Sequence, residues 1–119
     1  MAVVYENLIA KGAFTQSENI ETVTVPASTT IARGTVLGKI TASGKYVPSL
    51  NASVDGSEVA VAVLQNEIVN DTAGAVDVAE VVWKSGTFNS TGLTFGTGQT
   101  VANTADDLHN VSIEIITGV

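Results

Sequence analysis

The chain has 119 residues, room for one domain and one modest core. Hydrophobic residues make up 45% and charged residues only 14%, so the surface must be covered by Thr, Ser, Asn and Gly or partly hidden against a partner. The formal charge is −7 and the five Lys and Arg are scattered, which leaves no basic patch to neutralise phosphates. Nucleic acid and anionic membrane surfaces are therefore disfavoured as partners.

Residues 1–19 read as an arm outside the core. Val3, Val4, Tyr5, Leu8 and Ile9 form a short apolar patch, with neither strict alternation nor a helical face long enough to define an element. Tyr5, Glu6 and Asn7 also interrupt the apolar stretch that a signal peptide needs. The expectation is a protein made in a cytosol and used unmodified. Four Asn-x-Ser/Thr triplets, at Asn51, Asn70, Asn89 and Asn110, are then chance occurrences in a Thr- and Ser-rich chain.

The β pattern is clear from Ile20, and residues 20–119 are read as the domain. Glu21 to Val25 alternate up to Pro26, which ends the strand or confines it to an edge. Thr35 to Ile40 predicts a second strand, entered through Arg33-Gly34. Ser43-Gly44 signals a two-residue hairpin turn to Tyr46-Val47, and Pro48 closes the return strand. Asp55-Gly56 marks the turn of a polar loop over residues 51–57. The run Val59-Ala60-Val61-Ala62-Val63-Leu64 predicts a central strand buried on both faces.

Asn70 to Gly74 reads as a loop, and Val76 to Trp83 as a half-exposed strand. Lys84-Ser85-Gly86 is expected to turn the chain sharply into Thr87-Phe88. Gly92, Gly96 and Gly98 space out a loop-rich stretch. Asn103 and Thr104 are N-cap candidates for a short helix over residues 105–110, with Asp107 completing a capping box. Ile113, Ile115 and Ile116 belong to a final strand.

Chemistry-bearing groups are few. His109 is the lone histidine, and the interaction of an imidazolium with a helix C-terminus accounts for it without catalysis. Asp106-Asp107 are adjacent and do not converge on a cation. Gly96-Thr97-Gly98 lacks the third glycine and the βαβ setting of a dinucleotide fingerprint. With no cysteine there is neither a disulfide nor a thiolate metal site. No catalytic, cofactor or metal residue is assigned. Trp83, at a strand end, reads as a core plug or as an anchor between subunits.

Taken in order, several blocks resemble the head decoration proteins of lambda-type tailed phages. They are Asn7-Leu8-Ile9-Ala10, then Ile31-Ala32-Arg33-Gly34-Thr35-Val36-Leu37-Gly38, then Ser43-Gly44-Lys45-Tyr46 with Asp55-Gly56-Ser57 and the run to Leu64, and last Trp83-Lys84-Ser85-Gly86-Thr87-Phe88. The likeness covers most of the chain. It implies a mainly β, β-clip-like domain with one short C-terminal helix and an extended N-terminal arm. It further implies a homotrimer on the outside of the expanded capsid, with the arm pairing to strands of the major capsid protein. The arm here lacks the Pro-rich chemistry of the lambda protein, and the loop over residues 89–100 is Gly- and Thr-rich where the lambda protein is acidic and aromatic. Two rival classes are weighed. A β-clip enzyme needs polar residues gathered on a turn, and a glycan-binding virion accessory needs exposed aromatics, of which one Trp, two Tyr and three Phe are the whole supply.

Overall fold

β-Branched runs, and the prolines and glycines that end them, define eight strands in the computed structural model, which describes residues 17–116. They are β1 (Ser17–Val25), β2 (Thr29–Ile31), β3 (Val36–Lys39), β4 (Tyr46–Pro48), β5 (Ala60–Leu64), β6 (Ile68–Asn70), β7 (Val76–Asn89) and β8 (Ile113–Ile116). One helix, α1 (Val101–His109), lies between β7 and β8. The domain is mainly β with a single short helix near its C-terminal end, as the sequence led us to expect.

Hydrogen bonding runs β1-β4-β3-β5-β7, and β7 pairs back onto β1, so five strands close into a small barrel. The longest seam is antiparallel, from Val25 opposite Val76 to Ser17 opposite Ser85. The shortest is parallel, with Val23 of β1 opposite Tyr46 of β4. β2 and β6 form a separate two-stranded sheet, Thr30 opposite Val69.

Successive side chains of a strand point to opposite faces, and here both faces of the barrel wall are apolar. Val23, Leu37, Tyr46, Ala62, Leu64 and Val82 come from all five barrel strands and fill the interior. Their neighbours Val36, Val63 and Trp83 face outward. That outer wall is covered by Leu93, by Leu108 of α1 and by Ile113 of β8. Hence the unbroken apolar run of β5: Ala62 and Leu64 line the barrel while Val63 and Ala60 belong to the outer core, a register shift opposite Leu37 and Gly38 breaking strict alternation between Ala60 and Ala62. Burying each Val or Leu contributes about 1.5–3 kcal/mol.

Several local expectations are corrected. β1 starts at Ser17, three residues before the alternation becomes legible, because β7 offers a partner that far. Lys84-Ser85-Gly86 does not turn. β7 continues through it to Asn89, and at this point the ladder with β1 ends and a parallel ladder with β8 begins, Gly86 opposite Ile113. Gly86, at φ +132°, absorbs the change of partner where a side chain would be strained. The β3–β4 hairpin is closed by residues 40–45 and not by two residues. The Gly44 N–H donates to the Ile40 carbonyl (2.8 Å), and Ile40 donates to the Lys45 carbonyl (2.9 Å).

The helix also begins earlier than its capping signals suggested. Thr100 is the N-cap: its hydroxyl accepts from the Asn103 N–H (3.2 Å), and the Asn103 side chain accepts from the Thr100 N–H (2.6 Å). Asn103 thus takes the position usually held by Glu or Gln in a capping box. Thr104 is buried within the helix, donating to the Thr100 carbonyl (2.6 Å). β2 and β6, three residues each, carried too little pattern to be read from sequence.

Candidate functional site

Trp83 lies 1% exposed in the outer-wall core, its ring tilted 47° against Phe88 with 5.3 Å between centroids. Within one chain it is a core residue. The arm positions Val3, Val4, Tyr5, Leu8 and Ile9 lie outside the described residues. His109, at the C-terminal end of α1, pairs across the turn with Glu114 of β8 and is well exposed. Asp106 and Asp107 are not brought together with further ligands, and among the described residues no three His, Cys, Asp or Glu side chains gather as a metal site. No helix of the described residues is long and apolar enough to cross a membrane.

The polar side chains that are buried serve the loops. Gln99 donates from Nε2 to the Ser49 hydroxyl (3.0 Å) and to the Glu58 carbonyl (2.8 Å), pinning both ends of the 49–58 loop against the turn that leads into α1. Within that loop Asp55 accepts from the Ser57 hydroxyl and N–H, which holds its carboxyl below the usual range. Asn70 is buried, with Nδ2 within hydrogen-bond distance of the Val25, Pro26 and Gly74 carbonyls (3.1, 2.9 and 3.0 Å), and its Oδ1 accepts from the Thr72 N–H. Asn89 likewise accepts from the Thr91 N–H. Two of the Asn-x-Ser/Thr triplets are therefore Asn turns, in which Thr two residues on closes the loop; chance is not needed to explain them.

Two ion pairs bridge the barrel surface. Lys45 reaches Asp77 (2.6 Å), which also accepts from Thr24 (2.7 Å), and these bonds keep the Asp77 carboxyl low. Lys84 pairs with Glu21, which raises its pKa against the opposing pull of burial, and its ammonium stands 5.7 Å from the centre of the Tyr46 ring.

What remains on the surface is apolar in places. Ile20 on β1 is 72% exposed, Val54 at the tip of the pinned loop 94%, and Val69 on β6 64%. Sequence reading did not single these out. For Ile20 the signal was present, because it shares parity with Thr22 and Thr24 and not with the buried Val23 and Val25.

The buried polar side chains of the barrel are spent on pinning loops, and its surface carries exposed apolar residues on two strands and a loop tip. The family model for bacteriophage lambda head decoration protein D matches residues 5–113, and the chain belongs to that family. It is a structural protein that decorates the phage capsid, not an enzyme. Comparison with curated proteins found no match. All the blocks that carry the resemblance fall inside the matched span, and the aromatic-Lys-Ser-Gly-Thr-Phe block lies within β7.

Proposed function

We propose that this decoration protein binds the outer surface of the expanded head as homotrimers, at three-fold and local three-fold positions, and stabilises the shell against the outward push of packaged DNA. The observation that carries this is the family match across residues 5–113. The weak points of a shell are the junctions where capsomers meet. A trimer seated there presents three copies of one contact, and once the first engages, the others become effectively intramolecular. Contacts too weak to hold singly then hold together.

The N-terminal residues are the proposed clamp on the major capsid protein. Residues 17–19 are already paired in β1, so the clamp is the stretch before Ser17, with Val3, Val4, Tyr5, Leu8 and Ile9 as its apolar contacts. Adding a strand to an exposed capsid edge relies on main-chain hydrogen bonds. Ordering the arm costs on the order of 1 kcal/mol or more per residue, which makes attachment conditional on a matching edge and suits it to the mature shell. The protein is made in the host cytoplasm on this reading. Its charge of −7 supports a partner set without nucleic acid or membrane. The glycan-binding alternative finds little support: every aromatic among the described residues is buried or half-buried.

The test compares expanded capsids decorated with the full chain or with a chain lacking residues 1–16, challenged by heat or chelator and scored by DNA release. Full protection by the full chain and weaker protection by the truncated one is expected. Equal protection by both removes the clamp from the N-terminal residues, and no protection by either removes the stabilising function.

A further inference from the structure

Asp55-Gly56 is the one place in the chain where an Asp or Asn precedes glycine. Such a dipeptide isomerises readily, because glycine has no side chain to shield its own amide nitrogen. The Gly56 nitrogen gives up its proton and bonds to Cγ of Asp55. One oxygen of the neutral carboxyl leaves as water, carrying that proton and the carboxyl's own. Water then reopens the five-membered imide. Opening at the former main-chain carbonyl leaves isoaspartate, with the chain running through the side chain and one methylene longer. No oxidant or further reactant is needed.

Glycine is required at this position. Gly56 sits at φ +101°, and a Cβ on it would lie 2.1 Å from the Thr41 hydroxyl oxygen. Asp55 is exposed to solvent, yet each step of the reaction meets an obstacle in the loop. The Gly56 N–H donates to Glu58 Oε1 (2.9 Å). That carboxylate holds the proton that must leave, and its charge opposes the amide anion that would form. Asp55 Oδ1 accepts from the Ser57 N–H (3.0 Å) and hydroxyl (2.5 Å), which fixes the carboxyl and keeps it ionised, whereas water leaves from the neutral acid. The main-chain carbonyl of Asp55 accepts from the Thr41 N–H (2.9 Å), which opposes rotation of the peptide. We propose that Asp55-Gly56 is a latent isoaspartate site, and that Glu58 with Ser57 is the latch that keeps it closed in the folded protein. Isomerisation would turn the carbonyl held by Thr41 into a free carboxylate and lengthen a loop that is packed backbone to backbone on Gly38. A decoration protein on an assembled shell is not renewed, so the latch sets how long the loop keeps its shape.

The experiment ages the full chain in warm neutral buffer, folded and in urea. Isoaspartate at position 55 is counted by peptide mapping with electron-transfer fragmentation, which separates it from aspartate of equal mass. Folded wild type is expected to isomerise at least roughly tenfold more slowly than the chain in urea, since reaction waits on local opening. Glu58→Ala is expected to raise the folded rate roughly tenfold, and Glu58→Gln, which keeps an acceptor oxygen without the charge, by less. Leu108→Ala, which loosens the fold away from the loop, should accelerate it less than Glu58→Ala does. In urea the chains should age alike. If Glu58→Ala does not fold, Glu58→Gln decides by exceeding wild type. Glu58 variants that age at the wild-type rate, or no faster than Leu108→Ala, overturn the latch, as does a difference between them and wild type in urea. Wild type that ages as fast folded as in urea overturns the protection, and an absence of isoaspartate in urea overturns the site itself.

Discussion

The α-carbon of Gly38 faces the backbone carbonyl of Ser57 with no space for a methyl group between them. This closeness lets the 49–58 loop lie flat against β3, and it comes from backbone meeting backbone, which cannot move aside as a side chain can.

Gly38→Ala is accordingly expected to cost about 1–3 kcal/mol, the range for forcing extra volume into a packed site. Gly74→Ala, where an added Cβ meets nothing within 4 Å, should be neutral or slightly stabilising. Urea denaturation of the two variants beside wild type checks the contrast. A Gly38→Ala protein as stable as wild type would mean that the loop does not rest on β3 as described.

Trp83 is the sole tryptophan and is shielded by Phe88. Its emission should be blue-shifted in the native state and move to the red on unfolding, reporting on the outer-wall core alone. Truncating Leu108 to Ala beneath the helix should cost about 2–5 kcal/mol. The same emission should reveal any partial opening as α1 loosens, and hydrogen exchange in residues 101–109 should quicken first.

Asn70 supplies donors to a place ringed by carbonyls. Asn70→Ala leaves those acceptors without it, a loss of about 1–3 kcal/mol. Asn70→Asp should be worse at neutral pH, because a carboxylate cannot donate and is repelled by the same oxygens. The excess cost should disappear in acid once the carboxyl is protonated. Thermal melts of the two variants at pH 7 and in acid measure this, and an aspartate variant equal to the alanine variant at pH 7 would count against the hub.

Asp77 is held below its ordinary pKa of 3.8 chiefly by the hydrogen bond from Lys45 and next by that from Thr24. A carboxyl that ionises more readily in the folded state adds stability above its unfolded pKa and loses it as pH falls through the folded value. The wild-type protein should therefore weaken below about pH 3.8. Asp77→Asn should flatten part of that dependence and Asp55 should carry another part, since the Ser57 hydrogen bonds lower its carboxyl too. Urea midpoints across the acid range decide it, and an unchanged slope in Asp77→Asn would show that the Lys45 pair does not survive in solution.

The sequence by itself determined the class and most of the strands. Alternation before Pro26, the Val-rich run to Leu64 and the glycine turns at Gly44 and Gly56 are local signals, because side-chain parity and left-handed backbone are decided within a few residues. The ordered blocks from Ile31 to Phe88 carried the family likeness for the same reason: motifs are readable without knowing what they touch. Tertiary structure alone decided that Lys84-Ser85-Gly86 runs straight on, since a glycine beside polar residues signals a turn unless another strand is waiting to pair, and β8 is. It decided that the helix begins at Val101, because Gln99, anchored to Ser49 and Glu58, fixes where Thr100 can cap. It decided as well which apolar residues remain outside. Ile20 and Val63 are both β-branched residues on β strands, yet one is 72% exposed and the other fully buried, because among the described residues the helix is laid across the wall over β5 and not across Ile20. Coverage of that kind is a property of how distant segments meet, and no stretch of sequence states it locally.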